Sequence, residues 1–207
     1  MTTYLLPTRG PDLGKRFANL LIGLVVFGLG VALMLQSGLG VPPWDVLHQG
    51  LANRFGLSVG SWSIIVSVLV LVAWLPLRER YGIGTVLNAI IIGLAIDVGT
   101  SILPEPEPLG WRVAILATGI LAIGFGSGLY IGARLGPGPR DGLMTGISKL
   151  GPSIRLTRTA IEVSVLVLGW LLGGTFGIGT IAFAMLIGPL VQIFLPLLDT
   201  APSLRTS

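Results

Sequence analysis

Twice in this chain the same polar interruption breaks an apolar run. LGVPPWDVLHQG occupies 39–50 and LGPGPRDGLMTG occupies 135–146, and the two keep Leu, Gly, Pro, Asp, Leu and Gly in register. The match extends backward, pairing Gly23, Gly28 and Gly30 with Gly119, Gly124 and Gly126. After one skipped residue, Phe55, it extends forward and pairs GIGT at 82–85 with GIGT at 177–180. Over 17–54 against 113–150 and 56–97 against 151–192, 26 of 80 positions are identical. Apolar chains share Leu, Val, Ile and Gly through composition, so the weight rests on the aligned Pro-x-Asp and GIGT. The chain is an internal duplication, and its fold must build two similar halves.

The material between the interruptions excludes an ordinary soluble domain. Of 207 residues, 52% are hydrophobic and 11% charged, with a mean hydropathy of +0.89, where soluble chains carry about 25% charged residues. The apolar runs are about twenty residues long, enough for a helix to cross a ~30 Å hydrocarbon core. The expected fold is an all-α integral membrane protein with six spans, at 17–36, 62–77, 83–103, 111–133, 159–176 and 178–198. A cytoplasmic N-terminal tail (1–16) precedes a first membrane repeat (17–103). PEPEPLG at 104–110 is an outer linker, since three prolines break a helix, and a second repeat (111–198) and cytoplasmic C-terminal tail (199–207) follow. Each repeat is expected to carry a short amphipathic or re-entrant helix after its first span, one starting at Pro43 and one over 140–150. Trp44, Leu47, Leu51 and Phe55 form the apolar stripe of the first, and Leu143, Ile147 and Leu150 that of the second.

Charge fixes the orientation. With both termini in the cytoplasm, Arg9, Lys15, Arg16, Arg78, Arg80, Arg134, Arg140, Lys149, Arg155, Arg158 and Arg205 fall inside, and only Arg54 and Arg112 fall outside. Three spans per repeat is odd, so the second repeat enters from the opposite face and the two are inverted. The net charge of +4 therefore sets topology and implies no nucleic-acid partner; the partner is the lipid bilayer. Cysteine is absent and His48 is the single histidine, so no metal site or cofactor is expected. Gly124, Gly128 and Gly132, and Gly169, Gly173 and Gly177, recur every fourth residue. That spacing admits close helix packing inside the chain or a homodimer through the Gly-rich faces.

Seven residues are candidates for binding a substrate or ion. Asp45 and Asp141 each follow a proline by two residues, in the first turn of a short helix, where a carboxylate is stabilised by unpaired N–H groups and the helix dipole. If the short helices dip into the membrane, the two aspartates mark the halves of a central site. A carboxylate there suits a cation, a proton or an amine; Arg140, beside Asp141, would restore affinity for anions. Glu162 is a carboxylate inside a span, a functional candidate by default, with Arg158 four residues earlier as its structural ion-pair partner. Asp97, its counterpart Gln192, and Asn88 are polar at membrane depth and expected to face the bundle interior, either hydrogen-bonded or lining a wet cavity.

Enzymatic readings find no support. Gly126-Ser127-Gly128 lacks the Gly-x-Ser-Gly of an intramembrane serine protease, PPWD and GPRD do not match a membrane aspartyl protease, and no phosphate-binding or dinucleotide fingerprint is present. The stretches LGVPPWDVLHQGL, GSWSII, LGPGPRDGLMTGI, RLTRTAIEVSVLVLGWLLGG and GIGTIAFAMLIGPLVQ resemble the YitT/YczE family of bacterial integral membrane proteins, the YczE-like branch most closely. The resemblance covers about residues 17–195. It implies a multi-pass protein of the bacterial cytoplasmic membrane, of permease type, with no assigned substrate and no catalytic residues to carry over. Two functions are thus expected: a secondary transporter or permease for a small solute, or a non-transporting scaffold supporting an export or biosynthetic complex.

The charge distribution makes the topology testable. Reporter fusions at 78–80, at 140–151 and at the C-terminus should report cytoplasm, and a fusion at 105–107 the outside. Loops 78–80 and 140–151 on opposite sides would refute the inverted arrangement.

Overall fold

A computed structural model describes residues 12–79 and 81–200. Arg9, Arg80 and Arg205, and with them most of both expected tails, lie outside the described residues. The described residues form eight α-helices: α1 (Leu13–Ser37), α2 (Pro43–Phe55), α3 (Val59–Leu77), α4 (Ile83–Ile102), α5 (Leu109–Gly132), α6 (Pro139–Ser148), α7 (Ile154–Leu171) and α8 (Ile178–Leu198). Five of them, α1, α3, α4, α5 and α8, are long and apolar enough to cross a membrane. The sixth long helix, α7, has 18 residues and carries Arg155, Arg158 and Glu162. The two interruptions become the short helices α2 and α6.

At the centre, α1 and α5 touch backbone to backbone. A Cβ on Gly23 would stand 2.8 Å from the Gly126 carbonyl oxygen, and one on Gly30 would stand 2.9 Å from that of Gly119. Residue 23 therefore faces 126 while 30 faces 119, so the two helices run antiparallel. These four glycines are two pairs of sequence counterparts, and the two contacts exchange when counterparts are exchanged. Around this axis α4 packs on α1 and α8 on α5, while α2 packs on α7 and α6 on α3. Each short helix thus leans on a long helix of the other half.

The junctions obey the same exchange. The N–H of Gly179 donates to the carbonyl of Leu39 at 2.8 Å, and that of Gly84 to Leu135 at 2.9 Å. Arg112 Nε donates to the Ser37 carbonyl at 2.7 Å and its Nη2 to Gly38 at 3.1 Å, at the C-terminus of α1. Arg16 does the same for α5, reaching Ala133 at 3.0 Å and Arg134 at 3.3 Å. A guanidinium at a helix C-terminus satisfies orphan carbonyls and meets the negative end of the dipole.

Three expectations are corrected. The helix begins at Leu13, so Arg16 is a buried cap on α5, not part of a tail ending at residue 16. The fifth long helix spans Ile154–Leu171, not 159–176: Ser153 caps it by accepting from the Leu156 N–H at 3.2 Å, and Gly173, at φ 96°, turns the chain beyond its end. The short helices also bury more than their apolar stripes. On α2, Asp45 and His48 are buried alongside Trp44, while Phe55 is exposed. On α6, Met144 is buried, Asp141 is exposed, and Leu150 lies beyond the helix end. The Gly124, Gly128 and Gly132 face packs within the chain on Leu190, Phe194 and Leu198 of α8, and Gly169 packs on Val46 and Leu47 of α2.

One contact fixes α6. Trp74 of α3 is fully buried and its Nε1 donates to the Pro139 carbonyl at 3.0 Å. A Cβ on Gly142 would fall 2.0 Å from the Trp74 ring. Gly142→Ala should destabilise the detergent-solubilised protein by about 1–3 kcal/mol through overpacking. Adding Trp74→Leu should recover part of that loss; thermal unfolding of the two variants checks both.

Candidate functional site

Asp45 and Asp141 occupy equivalent places because proline starts both short helices, Pro43 on α2 and Pro139 on α6. Proline is favoured at that position, where a missing N–H costs nothing. The two helices point their N-termini at each other. Arg140 Nη2, at the start of α6, stands 3.7 Å from Asp45 Oδ1, at the start of α2, and the Arg140 guanidinium lies 5.1 Å from the centroid of the Trp44 ring. Asp45 also accepts from His48 Nδ1 at 2.9 Å, one turn along α2, and both side chains are buried. Asp45 Oδ2, His48 Nε2 and Trp44 Nε1 have no hydrogen-bond partner among the described residues. This pair of helix ends joins the two halves of the chain.

Beside it lies a cavity of about 490 Å³, within the ~300–1,000 Å³ typical of small-molecule sites. All eight helices or their first turns contribute to its wall. Asp141 is exposed to this space. Its carboxylate accepts from Tyr130 Oη at 3.5 Å. Asn88 on α4 and Gln192 on α8 line the same cavity, as do Ser63, Ser67 and Ser127. Arg158 and Glu162 enter the wall together from α7, joined Nε to Oε1 at 2.9 Å. Apolar groups, including Phe27, Ile92, Ile123 and Phe183, complete it.

Asp97 stands elsewhere. It accepts from Ser58 Oγ at 2.5 Å and from the Gly60 N–H at 2.8 Å, closing the first turn of α3. Its counterpart Gln192 does line the cavity. Of the seven sequence candidates, Asp141, Arg140, Glu162, Gln192 and Asn88 share the cavity, Asp45 touches it through Arg140, and Asp97 ties α4 to α3. The Arg158–Glu162 pair is structural in geometry and also part of the wall.

Helices α7 and α8 barely touch, and a Cβ on Gly188 of α8 would meet nothing within 4 Å. Their counterparts α3 and α4 are sealed: a Cβ on Gly60 would meet the Gly93 carbonyl oxygen at 2.0 Å. The arrangement can hold a small polar or charged group at the helix ends and an apolar body against the walls.

Sequence reasoning missed His48, Trp44, Tyr130 and the two capping arginines. Asp45 and His48 are three apart on one helix, a spacing that brings side chains together. Arg16 and Arg112 become counterparts when the repeat match is extended back by one residue. Trp44 and Tyr130 carried no such signal, because an aromatic in an apolar run reads as core.

Residues 14–196 match a family described as a family of unknown function, DUF6198. An uncharacterized protein of Haemophilus influenzae is 44% identical over 189 residues, covering 91% of this chain and 87% of its own length. The uncharacterized membrane protein YczE of Bacillus subtilis is 37% identical over 204 residues, covering 95% and 94%. The uncharacterized protein YyaS of the same organism is 32% identical over 184 residues, covering 86% and 91%. No solved structure matches the chain.

The two ion pairs differ in burial, and so in what they hold together. Asp45→Ala strands Arg140 and His48 and should cost about 3–5 kcal/mol of unfolding free energy. Glu162→Gln, in a pair whose arginine is exposed, should cost about 0.5 kcal/mol or less. Denaturant titration in detergent separates these values, and Glu162→Gln as damaging as Asp45→Ala would reverse the assignment.

Proposed function

We propose that this chain, which belongs to the DUF6198 family that contains YczE, is a secondary transporter or permease for a small solute. Six spans form two inverted three-helix repeats, and the substrate binds between them. The protein sits in the bacterial cytoplasmic membrane with both termini in the cytoplasm and carries out no chemical conversion. The observation that carries this reading is the meeting of α2 and α6, one from each half, at Asp45 and Arg140 beside a cavity built by both halves. Broken helices whose ends meet at an interface between repeats are how inverted-repeat transporters make a substrate site. The antiparallel α1–α5 contact and the exchanged junctions support an in-plane two-fold relation. The burial of the short helices among the long ones favours transport over a scaffold, which would lay them flat at the interface.

The test is uptake into proteoliposomes from a defined mixture of small solutes, read by mass spectrometry against empty liposomes. At least one solute should accumulate, and Asp45→Asn or Asp141→Asn should each lower its accumulation by about ten-fold or more while insertion stays normal. Asparagine serves a helix N-terminus as well as aspartate does, so full uptake in the double Asn variant would reduce both residues to helix starts. No accumulation of any solute would overturn the transport reading.

A further inference from the structure

The charges in the cavity do not cancel group by group. Arg158 is held by Glu162 at 2.9 Å. Arg140 is held by Asp45 at 3.7 Å and by the Trp44 ring at 5.1 Å. Asp141 has no arginine, lysine or histidine nitrogen within 4.0 Å among the described residues. The side chain that it meets, Tyr130 through Oη, is neutral. Arg158 and Arg140 act on Asp141 from beyond that distance, so this carboxylate has no cation in contact, and carboxylates inside a membrane protein pair or serve a ligand.

The groups around it converge on one point. A carbon placed as Cβ on Gly138 would stand 3.2 Å from Asp141 Oδ2, 3.6 Å from Asn88 Nδ2 and 3.6 Å from Tyr130 Oη. Each of these groups can offer an oxygen to a donor: the carboxylate, the amide once its ends are exchanged, and the phenol. An ammonium group has three donors and no acceptor, which fits such a cluster. Two helix N-termini would draw an anion, yet each already carries its own aspartate, and both arginines of the cavity have carboxylate partners. The same cavity is also lined by the apolar side chains of Phe27, Ile92 and Ile123.

We infer that the cavity binds an organic cation, a protonated amine with an apolar body, whose ammonium sits at Asp141 between Asn88 and Tyr130. The inference rests on the reading of this cavity as the substrate site and gives that site its chemical class.

The probe is hexylammonium, with hexanoate and hexanol as chain-matched controls, titrated against the full-length protein in detergent and read by thermal unfolding. Hexylammonium should raise Tm in a saturable way, and the two controls should not. Asp141→Asn should weaken the apparent affinity by at least about thirty-fold, the loss expected when a desolvated charge loses its partner. Gly138→Ala keeps every charge, and its backbone, at φ −63° and ψ 154°, accepts alanine. Its methyl occupies the convergent point and should abolish the shift even if Asp141→Asn fails to fold. Glu107→Gln, in the outer linker, should leave the titration unchanged. Hexanoate or hexanol stabilising as well as the amine, or an amine shift that survives Gly138→Ala, would overturn the inference. An amine that binds but never accumulates in proteoliposomes keeps the inference and removes the transport reading. Uptake of an anion or neutral solute without amine binding does the reverse.

Discussion

Lipid is as apolar as leucine, so it supplies no force that drives one transmembrane helix onto another. What holds this molecule together is the near-contact of the α1 and α5 backbones at Gly23, Gly30, Gly119 and Gly126. Side chains at those positions would separate the two helices by the width of a methyl group and forfeit the dispersion contacts along their length. Everything else in the fold is arranged around that seam. Helices α4 and α8 lie against it symmetrically, and the short helices are suspended from its ends. The four glycines meet as Gly23 with Gly126 and Gly30 with Gly119, so the central contact is made with the two helices antiparallel.

A second constraint follows from interrupting helices at depth. Every break exposes N–H and C=O groups that water cannot reach, and each must find a partner in the protein. Here the partner comes from the other half. Leu39 is satisfied by Gly179 and Leu135 by Gly84, while Arg112 and Arg16 close the C-termini of α1 and α5. Glycine at 40 and 136, with φ of 119° and 147°, lets the chain turn away directly afterwards. A methyl at either would strike the N-terminal turn of α8 or α4. Neither half could satisfy its own breaks, which is why α2 and α6 end up against α7 and α3. The site between them is a consequence of that exchange, since it places two helix N-termini nose to nose.

Much of this was legible in the sequence, and the reasons for the misses are local. The repeated Pro-x-Asp located both helix ends, because proline and aspartate each have a physical cause to be there. For Asp97 the sequence left a hydrogen-bonded role and a cavity-lining one open, and the structure shows the first. An acidic residue in an apolar helix signals a polar partner, but not whether that partner is a ligand or, as here, the first turn of a neighbouring helix. The bounds of α7 were misjudged because its first turn is polar, RLTR, and its apolar run continues into Gly173 and Gly174. Ser153 and the glycines decide the ends, while hydropathy follows only the middle. That α2 buries Asp45 and His48 as well as Trp44 was missed for a related reason. An amphipathic pattern shows that a helix has two sides, but not which one meets protein when the other meets lipid.

The halves are similar but not interchangeable, and they differ where α3 meets α4 and where α7 meets α8. Where α3 has Gly60, α7 has Arg155; where α4 has Asp97, α8 has Gln192. In the first half the absent side chain of Gly60 admits the Gly93 carbonyl, and Asp97 pins the first turn of α3 through Ser58 Oγ and the Gly60 N–H. In the second half an arginine stands in place of that gap, no carboxylate pins the turn, and Gly188 faces empty space. The weak contact between α7 and α8 is therefore written into the chain. Any motion that closed α7 onto α8 as tightly as α3 onto α4 would have to displace Arg155, a long cation, from the place where its counterpart has only a hydrogen. The two sides of the site are thus chemically distinct. One is closed by a carboxylate bonded to a helix end, and the other carries Arg155 and the Arg158–Glu162 pair.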